Sequence, residues 1–352
     1  MIDHLSKKRL KDLLKTCGHH AHSHLYYLGD KEWLWDSKYE ALLLYRSVGN
    51  RRIVLGDPLG KPGSVERLIK QFIEACAKDK MVPVFYQTTS KYLPLYKSLG
   101  LVHSKIGEEA QVDLPSFSLQ GKKWLKMRTR ISKLQRSGFT FEVLQPPYSK
   151  EMLSRLKHIS DEWLRSRKEK GFSVSSFSMA YISQSPIAIL VGPDGSCEAF
   201  ASIAGGNHAG KAKDDSISKR ITVDLMRYTN ACPHGAMDVL FVSLFQWAEE
   251  HGYESCSLGM APLANVDHTL AARLLYKYGS RMYNFKGLYE YKNKFAPVWK
   301  DVHFVYPPGT LPLNIALLTF IIHMPKPVSH SRKRLAMTRL PAESESSLKK
   351  QA

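Results

Sequence analysis

Hydrophobic and polar positions change period several times along the chain, and the clearest change lies between Ile221 and Asn265. In ITVDLMRY the alternation sets Thr222, Asp224 and Met226 opposite Val223 and Leu225, which predicts a strand. After the loop TNACPHG, Met237, Leu240, Phe241, Leu244 and Trp247 recur at helical spacing, and an apolar strand follows around Cys256 to Leu258. Gly235 allows a tight turn into that helix, whose unpaired first N–H groups suit an anion, and Gly252 closes its far end. Asp224 and Arg227 are thereby predicted at a strand end beside a helix N-terminus.

Residues 1–25 pattern as a helix with Leu5, Leu10, Leu13 and Leu14 on one side, followed by His19, His20, His22 and His24. The histidine spacing matches no zinc-ligand pattern, so a solvated helix end is expected and no metal. From Leu25, LYYLGDKEWLWD, YEALLLYRSVGN and RRIVLGDPLG read as antiparallel strands turning at Gly29-Asp30 and Gly49-Asn50. A helix from Ser64 to about Lys80, the strand MVPVFYQ and the short helix YLPLYKSLG complete the first half. The second half opens with the strand FTFEVLQPPY, the helix MLSRLKHISDEWLRSR, a polar loop at 168–178 and a hairpin around Pro193-Asp194-Gly195. A polar excursion covers 207–220, and RMYNFKGLYEYKNKFAPVWKDVHFVYP reads as closing strands. PLYKSLG and LLYKYGS follow equivalent strands, which hints at an internal duplication.

Between the halves, Gly121 to Gly138 carries seven basic residues and no acidic one. Trp124, Met127, Ile131 and Leu134 form one stripe of a helix, while Lys122, Lys123, Lys126, Arg130, Lys133 and Arg136 fill another. A run this one-signed repels itself, so that face is expected to meet an anionic partner. The whole chain shares the bias: 51 Lys+Arg against 32 Asp+Glu give +19, which favours nucleic acid or an anionic lipid surface. Its 352 residues allow two domains, and five scattered cysteines without a CxxC read as reduced thiols. The apolar run from Leu311 to Met324 falls short of the ~20 residues that cross a bilayer, so packing on the domain is favoured over docking on a membrane. Beyond Lys326 no core pattern appears, and that tail is expected to hang free.

Mixed antiparallel strands around a strand–loop–helix–strand unit resemble the GNAT acetyltransferase fold, here twice. That superfamily holds coenzyme A in a Q/R-x-x-G-x-G/A loop, which TNACPHGAMD matches only at Gly235, so neither coenzyme A nor another cofactor is expected. LGDPLG (55–60), YKSLG (96–100), GEEAQVDL (107–114), DEWL (161–164), VDLMRY (223–228), LGMAPLANV (258–266) and FKGLYEYKNKFAPVW (285–299) resemble the soluble C-terminal portion of the bacterial phosphatidylglycerol lysyltransferase (multiple peptide resistance factor) family. The resemblance covers most of residues 25–307. It implies an α/β (α+β) chain of two tandem GNAT-like acyltransferase folds joined by a basic helix. The expected divisions are a GNAT-like domain over 1–120, the helix over 121–138, a GNAT-like catalytic domain over 139–325 and a disordered tail over 326–352. It also implies lysyl-tRNA as donor, phosphatidylglycerol at an anionic membrane surface as acceptor, and action at the cytoplasmic face of the bacterial membrane. Full-length members carry an N-terminal multi-spanning membrane part; none appears in this sequence, which would then be the soluble catalytic portion.

Moving lysine from a ribose ester to a glycerol hydroxyl is acyl transfer between two oxygens. The hydroxyl must lose its proton as it attacks, the tetrahedral oxyanion must be steadied, and two phosphorylated partners must be held in register. Asp224 and Arg227 are the candidate catalytic pair: Asp224 to accept the proton or receive the aminoacyl α-ammonium, Arg227 to hold phosphate with its planar fork. Three positions apart, they share a face only if the strand ends or bulges between them, and a plain ion pair at a strand end is the structural alternative. Lys292 and Lys294, with Glu290 at the same parity, are expected on one face of a strand, facing substrate phosphate and a lysyl ε-ammonium. Glu108, Glu109 and Glu162 are rival carboxylates, Tyr228, Tyr289 and Tyr291 either stack on adenine or pack, and His234 is a candidate proton carrier. Alanine as the transferred group, N-acetyl transfer from acetyl coenzyme A, and a catalytically silent RNA- or membrane-binding module are the competing readings.

Overall fold

A computed structural model describes residues 4–18, 20–165, 167–205, 219–266, 285–324 and 338–339. In the first half, β1 (Glu32–Trp35) and β2 (Ala41–Val48) are antiparallel, and β2 turns through Gly49 and Asn50 into β3 (Arg51–Leu55), the expected two-residue hairpin. The Gly29-Asp30 turn does not join two strands; it follows a 3-10 turn over Ser23–Tyr27 and precedes β1. The β1–β2 connection is instead organised by Asp36, whose carboxylate accepts from the N–H groups of Glu40 and Ala41 at 2.7 and 2.9 Å.

After the short β4 (Leu59–Gly60), α2 (Pro62–Lys78) begins on a proline, whose missing N–H costs nothing in a first turn. It buries Val65, Leu68, Ile69, Phe72 and Cys76 and returns the chain to β5 (Val82–Thr88), parallel to β3. The central strands are covered on both faces, which is why LLL in β2 reads as unbroken apolar text. Leu42 and Leu44 join the cluster that includes α1 (His4–Cys17), while Ala41, Leu43 and Tyr45 join the one under α2.

The second half repeats this unit. β7 (Thr140–Leu144), β8 (Ile187–Val191), β9 (Cys197–Ala204) and β10 (Arg220–Tyr228) are antiparallel in turn, with α5 (Lys150–Leu164) and the single turn α6 (Met179–Ile182) lying between β7 and β8 in sequence. α7 (Ala236–Glu250) then leads into β11 (Ser255–Pro262), parallel to β10. α7 is apolar on most sides because the sheet covers one flank and the basic helix α4 (Leu125–Arg136) another, through Trp124, Met127 and Leu134.

The last strand of each half crosses into the other. β6 (Val102–Asp113) pairs with β11, β12 (Val298–Tyr306) pairs with β5, and the two pair antiparallel with each other, after the short helix α3 (Leu93–Ser98) has led into β6. The result is one thirteen-stranded mixed sheet with helices, the α/β (α+β) class expected, built from two halves that each set an antiparallel run of strands beside a parallel strand–helix–strand unit. β13 (Thr338–Arg339) runs parallel to β1, so two residues of the tail expected to hang free extend the sheet edge.

One further expectation changes, and the apolar run after β12 packs on the domain as expected. FKGLYEYKN is a helix, α8 (Phe285–Asn293), not a strand: Leu288, Lys292 and Phe295 recur at helical spacing, and the alternating aromatics of YEYKNKF imitate a period of two over too short a span. α9 (Leu311–His323) packs through Leu311, Ile315, Leu318 and Ile321, while Leu313, Phe320 and Met324 stay exposed. No helix among the described residues is long and apolar enough to cross a membrane. LLYKYGS, most of the 207–220 excursion and nearly all of the tail lie outside the described residues.

Candidate functional site

A cavity of about 1870 Å3 is lined by both halves, and it opens where β10 and β11 part. Their parallel pairing covers only Arg220–Thr222 against Ser255–Ser257. Beyond it β10 shifts register against β9 between Val223 and Met226, and β11 shifts against β6 between Ser257 and Met260. The matching pair in the first half, β3 with β5, stays zipped from Arg51 to Leu55. A bulge re-aims side chains, and this one brings Asp224 and Arg227 onto the same cavity wall.

The two are not an ion pair with each other. Asp224 accepts from Ser175 Oγ at 2.5 Å, Tyr181 Oη at 2.6 Å and Ser202 Oγ at 3.4 Å, and it faces His24 Nε2 at 3.1 Å. Burial pushes its carboxyl up, but the charge and hydrogen bond of His24, with the Ser175 and Tyr181 hydroxyls, outweigh it and hold the group below the usual carboxylate range. Arg227 donates to Glu169 Oε2 at 3.0 Å and to the Met226 carbonyl at 2.9 Å, and its guanidinium lies 4.1 Å over the Trp163 ring. Its Nε is buried without a partner among the described residues, a donor left for an anion.

Lys292 reaches the same cavity from α8. Its Nζ donates to the carbonyls of Gly259 and Met260 at 2.9 and 2.8 Å, beside Gly259's φ of +75°, a conformation glycine adopts without strain. Burial depresses its ammonium to about 7, against the pull of Glu109.

The histidines expected on a solvated helix end turn inward instead. His22 Nε2 meets Gln87 Oε1 at 2.6 Å, and burial pushes its imidazole down to about 4. Gly56 makes room for that ring, since a Cβ there would approach His22 Nδ1 to 2.6 Å. His24 also lines the cavity, and His19 lies outside the described residues. The available sign was the spacing of His20, His22 and His24 running into the apolar Leu25-Tyr26.

Residues 11–306 match the family described as phosphatidylglycerol lysyltransferase, C-terminal. The chain belongs to this family. It is 38% identical over 323 residues to the phosphatidylglycerol lysyltransferase of Bacillus subtilis, covering 90% of this chain and 37% of that one. It is 37% identical over 292 residues to that of Staphylococcus xylosus, covering 81% and 34%. The structure of L-PGS from Bacillus licheniformis matches with a TM-score of 0.79 at 38% identity, over 90% of this chain and 97% of that one. The chain thus spans about a third of the length of the curated relatives it matches. The span shared with the phosphatidylglycerol lysyltransferase family includes His24, Asp224, Arg227 and Lys292, whereas α9 lies beyond it.

Other candidates fall elsewhere in this family member. Lys294 turns away from Lys292 to Asp238 at 3.4 Å, because a helix separates the positions that a strand would align. Glu290 is exposed beside Lys286 at 3.8 Å, Glu108 holds Lys105 and Asn265 at 2.6 and 2.7 Å, and Glu162 accepts the Asn230 N–H at 2.7 Å; none lines the cavity. Glu109 does line it, bound to Arg220 and Ser257. Tyr228 is exposed, Tyr289 stacks on Trp299 at 4.7 Å, Tyr291 packs on Phe241 and Phe295, and His234 is exposed away from the cavity. The α7 N-terminus, expected to receive an anion, already carries the buried Asp238 in its first turn, held by Arg130 at 2.6 Å. Lys122, Lys123, Lys126, Lys133 and Arg136 remain exposed on α4 and the turn before it. Among the described residues no group of three or more His, Cys, Asp or Glu side chains is placed to hold a metal.

Proposed function

We propose that this chain transfers lysine from lysyl-tRNA to the glycerol hydroxyl of phosphatidylglycerol, giving lysyl-phosphatidylglycerol. The observation that carries the reading is the convergence of Asp224, the unsatisfied Arg227 Nε and Lys292 on one cavity in a member of this family. Its volume exceeds the roughly 300–1,000 Å3 of a small-molecule pocket, in keeping with two large substrate ends. The exposed cations of α4 suit an RNA backbone. α9 suits the lipid: Leu318 and Ile322 line the cavity while Leu313 and Phe320 of the same helix face outward, as on a helix resting at the cytoplasmic face of an anionic membrane.

Lysine is favoured over alanine by Asp57. Glu109 and Glu169 on the cavity wall answer arginines, whereas Asp57 is held by the N–H and hydroxyl of Thr89, which leaves its charge for an ε-ammonium. Acetyl transfer from coenzyme A is disfavoured because the α7 N-terminus already carries a carboxylate where a pyrophosphate would need open N–H groups. The test is to mix the chain with tRNA carrying labelled lysine and with phosphatidylglycerol vesicles and follow label into lipid. Labelled lipid is expected; a folded sample that moves no aminoacyl group to phosphatidylglycerol rejects the reading, and a preference for alanyl-tRNA rejects its lysine half.

A further inference from the structure

We propose that His24 takes and returns the proton in this transfer, with Asp224 as its positioning residue, an assignment that rests on the transferase reading above. His24 comes from the 3-10 turn of the first half and Asp224 from β10 of the second, yet their side chains meet at 3.1 Å and are only 9% and 8% exposed. Asp224 itself is poorly suited to accept the proton. Three hydroxyls and an imidazole already address its two oxygens, and a carboxylate so bonded is a weak base.

The same bonds define what His24 can do. An ionised carboxylate only accepts, so the hydrogen between the pair belongs to Nε2. A neutral imidazole with its hydrogen on Nε2 has a free lone pair on Nδ1. In this chain Nδ1 of His24 is buried and without a partner among the described residues, while the residue lines the cavity. The adjacent His22 is committed to Gln87 and kept neutral by burial, so it places no fixed cation beside the dyad.

The step balances without an outside acid or base. Nδ1 takes the proton of the glycerol hydroxyl as that oxygen forms its bond to the ester carbonyl carbon. When the tetrahedral intermediate collapses, the bond between that carbon and the ribose oxygen breaks, and Nδ1–H gives the same proton to the departing oxygen. The arrangement assigns the proton carrier to one half and its orienting acid to the other.

The experiment compares His24→Gln, which keeps a donor for Asp224 but no base, with His24→Ala and Asp224→Asn. Both His24 variants are expected to unfold at the wild-type temperature, to lose roughly 100-fold or more in kcat, and to keep KM for both substrates within about threefold. Added imidazole should restore His24→Ala by about tenfold or more and leave His24→Gln unchanged, a rescue that a structural role would not give. Nitrogen NMR of the wild type should show His24 carrying hydrogen on Nε2 and none on Nδ1 when neutral, with that preference lost in Asp224→Asn. An active wild type whose His24→Gln variant keeps its kcat, or a neutral His24 protonated on Nδ1, overturns this inference and leaves the transferase reading standing. A wild type that makes no aminoacyl lipid overturns both.

Discussion

The Arg227 guanidinium lies 4.1 Å over the Trp163 ring and gives one arm to Glu169 at 3.0 Å, so its plane is set before any substrate arrives. A lysine can supply charge there but neither the stacked plane nor the fork. Arg227→Lys is therefore expected to lower kcat/KM for aminoacyl transfer by about 100-fold, and Trp163→Ala by about tenfold. Steady-state transfer assays check both, and an Arg227→Lys enzyme within a factor of about three of wild type would refute the phosphate-holding role.

Lys292 makes stability depend on pH in a defined direction. In the folded chain its ammonium gives up the proton near 7, whereas in the unfolded chain it keeps it to about 10.5, so between those values the unfolded state binds more protons. The burial cost is full below about 7 and disappears as pH rises toward 10.5. Denaturant midpoints of wild type should rise relative to Lys292→Met across that window; a constant difference would show that the ammonium is not desolvated.

The basic face divides into two kinds of residue. Alanine at Lys122, Lys123, Lys126, Lys133 and Arg136 should weaken tRNA binding and flatten its salt dependence by roughly 0.7–0.9 in log–log slope for each phosphate no longer neutralised, with the melting temperature unchanged. Arg130→Ala should instead cost about 1–2 kcal/mol of stability, because it strips a partner from the buried Asp238; the guanidinium's 34% exposure moderates the loss. Filter binding at several salt concentrations and thermal melts separate the two.

Gly107 lies where β6 meets β11, with a φ of +154°, and a Cβ on it would collide with the Ala261 carbonyl. Gly107→Ala is expected to destabilise by about 2 kcal/mol or more. Gly100→Ala, strained in φ but open in space, should cost about 1 kcal/mol. Equal losses at the two sites in calorimetry would mean that the seam has room to adjust.

How much of this was legible in the text depends on the range of each interaction. Asp224 and Arg227 stood out because alternation, loop and helix lie within one short stretch, and the need for a bulge between them followed from strand parity. Lys292 was legible as a residue, but its surroundings were not, since a few alternating aromatics mimic a strand in what is a helix. His24 was misread because its partner belongs to a distant strand and no local period reports such a meeting. Patterning likewise marked β12 as a closing strand without naming its neighbours and passed over β6, because period two reveals which face is buried and not which edge is paired.

The exchange of β6 and β12 has a consequence for how the molecule is made. β5 keeps an unpaired edge until β12 has left the ribosome, so a chain halted after Asp113 has neither a closed sheet nor a seated partner for its own β6. Synthesis must run past Tyr306 before β12 can pair with β5 and β6, and a gene cut between the halves would yield two fragments that each leave strand edges open which the other covers.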